Sequence, residues 1–140
     1  MRKGFKILII FILCLSLAAC LGRLESVEGD QVEKIAIWRH SHQNEVFLEP
    51  GEAQSVLSMY GAAHYGGKAT GEGGTPEFGL VFYLKNGERL YLNDFSEQPE
   101  FEAFLRSENG EKSDAFYVES DELRTFTKNL LWKYGGAFGY

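Results

Sequence analysis

The run FGLVFYLKNGERLYLNDF, residues 78–95, decides the fold. Two apolar, partly alternating segments flank Asn86-Gly87, the pair most favoured in two-residue type I′ turns because both turn positions need a positive φ. The sequence therefore predicts an antiparallel hairpin in which Tyr83 faces Leu90 and Phe82 faces Tyr91.

In that register both faces of the hairpin are largely apolar. We expect one face to pack against helices and the other to be covered by the chain itself, a partner or a ligand, because large exposed apolar patches are uncommon on monomers. Cover by the chain's own loops or C-terminal tail is the simpler expectation. The second face is a candidate binding surface that comprises Phe78, Leu80, Phe82, Leu84 and Tyr91.

Two strands and a helix are predicted before the hairpin. Residues 34–39 and 45–48 have strand character, with 40–44 as the turn between them. Pro50-Gly51 ends the second strand, and apolar residues at three- and four-residue spacing predict a helix over 52–63.

A glycine-rich segment then leads into the hairpin. Residues 65–76 contain five glycines and one proline, so we expect a mobile loop. The segment lacks the spacing of a phosphate-binding nucleotide loop and does not lead into a predicted helix. Nucleotide binding is therefore not predicted.

After the hairpin, residues 99–106 fit either a helical turn or a strand. We favour a strand that pairs, through a turn at Asn109-Gly110, with residues 115–118. Ser120 should cap a final helix, because its hydroxyl can accept a hydrogen bond from a backbone N–H in the first turn. The core stripe of that helix is Leu123, Phe126, Leu130 and Leu131.

These elements predict one α+β domain over residues 34–134, with an antiparallel sheet of four to six strands and two helices on one face. The aromatic, glycine-rich residues 135–140 are interpreted first as a disordered tail. A lid over the sheet and an interfacial anchor are the other interpretations.

The N-terminus has a basic and apolar pattern that ends at a cysteine. A basic start and a short apolar run precede Leu17-Ala18-Ala19-Cys20, which resembles the lipobox of bacterial lipoproteins. The apolar run is shorter than the roughly 20 residues that a spanning helix needs, so a retained transmembrane helix is disfavoured. The resemblance implies a cleaved signal peptide over 1–19, a lipid on Cys20, a tether over 20–33, and a place on the extracytoplasmic face of the cell membrane.

Composition limits the partners. Three of the 14 basic residues lie in the leader, so the chain after residue 19 has 11 basic and 20 acidic residues, a formal charge of −9. Repulsion then opposes nucleic acid, anionic headgroups and anionic wall polymers. Cys14 leaves with the leader and Cys20 is lipidated, so no disulfide is expected.

Histidines supply one candidate metal site. His40 and His42 alternate in an extended segment, so their imidazoles project to the same side, and His64 could add a third ligand. A solvated polar turn is the simpler interpretation. No catalytic motif is visible, so neither an enzyme nor a cofactor is predicted.

The order of elements resembles small Bacillus-type lipoproteins with a YhfM-like extracytoplasmic domain of unknown function. The likeness is strongest at Phe82-Tyr83-Leu84-Lys85-Asn86-Gly87 and at Tyr117-Val118-Glu119-Ser120. It implies fold and location but no catalytic residues. We therefore expect a non-enzymatic binding or accessory module with a protein or cell-wall partner.

Overall fold

The structure is a computed structural model that describes residues 29–71 and 74–138. The described residues form seven strands and two α-helices, with short 3-10 helices at Gly29–Gln31 and Gly135–Phe138. The strands are β1 (Val32–Arg39), β2 (Ser41–Phe47), β3 (His64–Lys68), β4 (Phe78–Leu84), β5 (Arg89–Asp94), β6 (Phe101–Arg106) and β7 (Phe116–Glu119). The helices are α1 (Pro50–Gly61) and α2 (Asp121–Lys133).

The strands make one antiparallel sheet in the order β2-β1-β4-β5-β6-β7-β3. The α+β class is confirmed, and residues 101–106 are a strand, as favoured from the sequence. The sheet has seven strands rather than four to six. The additional strand is β3, whose residues Tyr65 and Lys68 pair with β7, so the first part of the glycine-rich segment is an edge strand and not a loop.

The β4–β5 hairpin exists, but its predicted register is wrong by one residue. Phe82 pairs with Leu90, and Gly87 is the turn residue with a positive φ of 89°. The Gly87 N–H donates to the Leu84 carbonyl at 3.0 Å, and the Leu84 N–H donates to the Glu88 carbonyl at 2.9 Å. This is a three-residue connection, a type I turn followed by a glycine bulge, in place of a two-residue type I′ turn.

The register change places the leucines of both hairpin strands on the same face, and both helices cover that face. Tyr60 of α1 packs edge-on against Phe82 with ring centroids 5.3 Å apart. Leu123 and Leu130 of α2 join the same core, which confirms two helices on one face. The buried core residues of this face are Ile35, Ile37, Val56, Tyr60, Leu80, Phe82, Leu84, Leu90, Leu92, Phe101, Ala103, Phe116, Val118, Leu123 and Leu130.

The opposite face, called the outer face here, carries a smaller cluster of Ala36, Val81, Tyr91 and Phe104. Tyr91 and Phe104 lie opposite each other on β5 and β6 and stack with centroids 5.0 Å apart. Long basic side chains lie over the rings, with the Lys112 ammonium 4.0 Å from the Phe104 centroid. Their stems shield the aromatic cluster while their charges stay near water.

Several element ends differ from the prediction. The turn before β2 is tighter than residues 40–44, because β2 already begins at Ser41 and His40 alone turns the chain with a φ of 58°. The predicted cap of α2 is confirmed, since the Ser120 hydroxyl accepts from the Leu123 N–H at 3.1 Å.

Residues 135–138 of the predicted tail are ordered. Gly135–Phe138 form a 3-10 helix, and Phe138 packs against the core. A disordered tail is therefore wrong for these four residues, because an aromatic side chain holds them on the domain. The predicted leader, Cys20 and most of the tether lie outside the described residues.

Within residues 29–71 and 74–138, no helix has the length and apolarity that crossing a membrane requires.

Candidate functional site

The five hairpin residues predicted as one binding surface do not form one exposed face. Phe78, Leu80, Phe82 and Leu84 are buried on the side that the helices cover, and Tyr91 is buried on the outer face. The prediction is wrong for two reasons: the helices cover the face of β4 that it left open, and the assumed two-residue turn misplaced Tyr91. The actual turn brings Leu90 and Leu92 beside Leu80 and Phe82, and moves Tyr91 to the other side.

The structure does not bring the three predicted histidines together, and the side chain of one of them, His42, lies outside the described residues. His40 ends β1, whereas His64 begins β3, and four strands separate β1 from β3 in the sheet. At a strand spacing of about 4.8 Å, the two positions are about 24 Å apart. Among the described residues, no group of three or more His, Cys, Asp or Glu could hold a metal ion.

The strongest candidate site is a cleft of about 620 Å³ beside the C-terminal half of α2. We call it the α2 cleft. Such a volume falls in the range of small-molecule sites, which are concave and mostly apolar with a few polar groups. The lining residues are Arg39, His40, Glu77, Phe78, Lys128, Leu131, Trp132, Gly135 and Gly136.

Helical spacing places three of these residues on one side of α2. Lys128, Leu131 and Trp132 are three and four residues apart, so they lie on adjacent turns of one helix face. Leu131 is partly buried against the core, whereas Trp132 is 87% exposed. The exposed indole is therefore an apolar surface at the mouth of the cleft.

The opposite wall comes from the ends of the central strands. The positive φ of His40 turns the chain between β1 and β2, and the His40 N–H donates to the Glu77 carbonyl at 2.8 Å. Phe78, the first residue of β4, is buried and contributes an aromatic ring. The wall is fixed because it is formed by paired backbone.

A buried ion pair holds α2 against this end of the sheet. Arg124 donates to both carboxylate oxygens of Asp94, from Nε at 2.7 Å and from Nη2 at 3.2 Å. Asp94 is 1% exposed and pairs in register with Phe78. Burial raises the pKa of Asp94, and the Arg124 guanidinium opposes that rise. The bidentate geometry orients α2 next to the cleft.

The charge of the cleft is opposite to that of the whole chain. The full sequence has a formal charge of −6, whereas the cleft has Arg39 and Lys128 against a single carboxylate, Glu77. Apolar walls beside a net positive charge suit a ligand that has both an apolar body and an anionic group.

The rest of the glycine-rich segment starts on the outer face, away from this cleft. The Ala69 N–H donates to the Ala115 carbonyl at 2.9 Å, and the Thr70 side chain lies 3.2 Å from the Tyr117 hydroxyl. At the other end of the segment, the Glu77 N–H donates to the Asp94 carbonyl at 3.0 Å. The segment is thus attached to the sheet at both ends.

The α2 cleft was not predicted from the sequence. One available signal was the recurrence of Lys128, Leu131 and Trp132 along one helix face, close to the glycines that follow α2. The other wall comes from His40 and Phe78, which are 38 residues apart in the sequence. No local pattern brings those two residues together.

A search against protein-family models, curated proteins and solved structures finds no match to this chain.

Proposed function

We propose that this chain is a lipid-anchored extracytoplasmic lipoprotein that acts as a non-enzymatic binding module, with the α2 cleft as its ligand site. The anchor rests on Cys20 and the lipobox before it. The resemblance to YhfM-like lipoproteins belongs to the same proposal. Burial of the predicted hairpin face favours the cleft over that face as the binding site.

One observation carries the binding role. Trp132 is 87% exposed at the mouth of an apolar cleft, whereas the other tryptophan, Trp38, is 1% exposed. Large aromatic side chains left in water next to a concavity are characteristic of recognition surfaces, because covering them contributes a large apolar area.

The chemistry of the walls defines the class of ligand. Phe78, Leu131 and Trp132 offer contacts to an apolar or aromatic body. Arg39 and Lys128 favour a negative charge at the edge of that body. The ligand is therefore a small anionic amphiphile, or an anionic and apolar end of a larger cell-surface molecule.

The test uses anilinonaphthalene sulfonate, an anionic aromatic probe whose fluorescence rises in apolar sites. The protein should bind the probe, and Trp132→Ala should weaken binding by about tenfold, as expected for the loss of an aromatic contact. Lys128→Met should weaken it several-fold because the anionic group loses a partner.

Matched controls lie on the opposite edge of the sheet. Tyr65 is an exposed aromatic residue and Lys68 an exposed cation, both on β3, so Tyr65→Ala and Lys68→Met should bind the probe like the parent. Equal affinity in the parent and Trp132→Ala would remove the α2 cleft from the proposal.

A further inference from the structure

A row of basic residues crosses the outer face of the sheet, far from the α2 cleft. Lys34 on β1 pairs in register with Tyr83 on β4, Tyr83 with Arg89 on β5, and Arg89 with Arg106 on β6. We call Lys34, Arg89 and Arg106 the basic row. At about 4.8 Å per strand, the row spans about 14 Å.

The pairing of Arg89 with Arg106 is unfavourable by itself. Like charges directly opposite on neighbouring strands destabilise a sheet. Within residues 29–71 and 74–138, no ion pair of 4.0 Å or less reaches either guanidinium. Neither arginine is therefore neutralised by a direct ion pair with a described carboxylate.

Aromatic rings orient both guanidinium groups. Arg89 lies 4.7 Å from the Tyr83 centroid, and Arg106 lies 5.5 Å from that of Tyr91 and 5.8 Å from that of Phe104. A hydrogen bond with Tyr91 raises the pKa of Arg89, which therefore stays charged. Contacts with the rings hold the two arginine side chains in place, and the guanidinium N–H groups remain as donors for a ligand.

Arg106 has a buried donor without an acceptor. Its Nε atom is shielded from solvent and has no hydrogen-bond partner in the structure. Buried donors are nearly always paired, because leaving one unpaired costs free energy. The Arg106 side chain therefore keeps hydrogen-bonding capacity that no described protein group uses.

The row borders a groove of about 480 Å³ at the hairpin-turn end of the sheet. Three carboxylates, Glu33, Glu88 and Glu108, also line this groove. They exclude a long polyanion, because its remaining charges would meet them. A single compact oxyanion between the arginines avoids that repulsion.

We propose that Arg89 and Arg106, supported by Lys34, bind one phosphate group. Guanidinium groups match phosphate oxygens with paired N–H donors, so two opposed arginines can hold the group from both sides. The phosphate could belong to a soluble ion or to a phospholipid headgroup. The groove faces the end where the chain enters β1, since the Lys85 N–H donates to the Gln31 carbonyl at 2.8 Å. The headgroup source rests on the proposed lipid anchor, which would hold the groove at the membrane surface against the repulsion expected from the net negative charge.

The first experiment adds inorganic phosphate to the full chain at constant ionic strength. Calorimetric titration measures binding, and thermal unfolding measures the midpoint temperature. Phosphate should bind and raise the midpoint. Arg89→Met and Arg106→Met, which keep the stems over the rings, should each weaken binding about tenfold or more. Lys68→Met is the control and should match the parent. No binding by the parent, or equal binding by parent and both variants, would overturn the proposal.

A second arm distinguishes the source and covers variants that fold poorly. Arg106→Lys keeps the positive charge but loses the paired N–H donors of the planar guanidinium. It should therefore bind phosphate more weakly than the parent while unfolding at a similar temperature. Because the Cys20→Ser chain keeps the apolar leader, only the sedimentation with phosphatidylglycerol vesicles that free phosphate reverses is counted. Phosphate-reversible sedimentation would support a headgroup; phosphate binding without it would support a soluble ion. Sedimentation that Arg89→Met and Arg106→Met leave unchanged would overturn the headgroup source. Failure here would leave probe binding at the α2 cleft intact, so the two proposals fail separately.

Discussion

At the residue scale, Glu52 joins the two helices. Its carboxylate accepts from the Glu49 N–H at the start of α1 at 3.1 Å, and from Lys133 at the end of α2 at 2.9 Å. The Tyr134 hydroxyl donates to it as well. Burial raises the pKa of Glu52, but the hydrogen bonds from Tyr134 and Lys133 outweigh burial and lower it overall.

Glu52→Gln should destabilise the domain by about 1 kcal/mol near neutral pH, since solvent screens part of the ion pair. Because the pKa is lowered in the folded state, the stabilisation is present above the unfolded pKa and disappears as pH falls through the folded value. The difference from the parent should therefore shrink below pH 4.5. Urea unfolding at several pH values measures it.

Glu97→Gln, at an exposed carboxylate outside this junction, is the control and should show little difference at any pH. A Glu52→Gln deficit that stays constant down to acid pH would show that the carboxylate charge does not stabilise the junction.

At the scale of elements, β4 depends on a glycine under an aromatic ring. Gly79 pairs in register with Trp38 of β1. A Cβ atom at Gly79 would lie 2.2 Å from the Leu92 carbonyl oxygen and 2.7 Å from the Trp38 ring. Neither neighbour can yield without separating strands or moving a buried indole.

Gly79→Ala should therefore destabilise the domain by about 3 kcal/mol or more, as overpacking in a filled core does. Gly61→Ala, where nothing lies within 4 Å of the added methyl group, is the matched control and should change stability little. Chemical denaturation of both variants measures the effect. Equal midpoints for the two would show that β1, β4 and β5 pack less closely than described.

For the hairpin, the sequence predicted the position of the turn but not the register of the two strands. Asn86-Gly87 correctly located the reversal, because both residues favour turns. The pair is compatible with more than one loop length, and the glycine-bulge turn that forms shifts the register by one. Since side chains alternate with period two, that shift decided which apolar residues of β5 share a face with Leu80 and Phe82.

At the scale of the whole molecule, the two proposed sites lie at opposite ends of the sheet. The α2 cleft adjoins Arg39 at the end of β1, whereas the basic row includes Lys34 near its start. The tether would enter at the basic-row end. The proposed phosphate site would then be the one closer to a membrane, with the α2 cleft directed away from it.

If Cys20 carries the lipid anchor, the protein should become radioactive in cells that are grown with a radioactive fatty acid. Cys20→Ser should lose the label, because the thioether cannot form, and Cys14→Ser should keep it. Autoradiography of the immunoprecipitated protein measures both. An unlabelled parent, or label retained in Cys20→Ser, would contradict the anchor.

Local chemistry determined much of this protein. Alternation predicted the hairpin strands, hydroxyl capping predicted that Ser120 starts α2, and the antiparallel α+β class followed from the order of elements. These features depend on residues close together in the chain, so a sequence pattern contains them.

Only the tertiary structure decided the sites. The order of the strands separated His40 from His64, and the strand register placed Arg89 opposite Arg106. Both helices buried the expected binding face of β4, and the hairpin register moved Tyr91 to the other face. The α2 cleft joins a strand end to a helix almost 90 residues later. Such contacts depend on the order of the strands and on their register to within one residue. The period-two and period-3.6 patterns of a sequence carry no information about strand order and little about register.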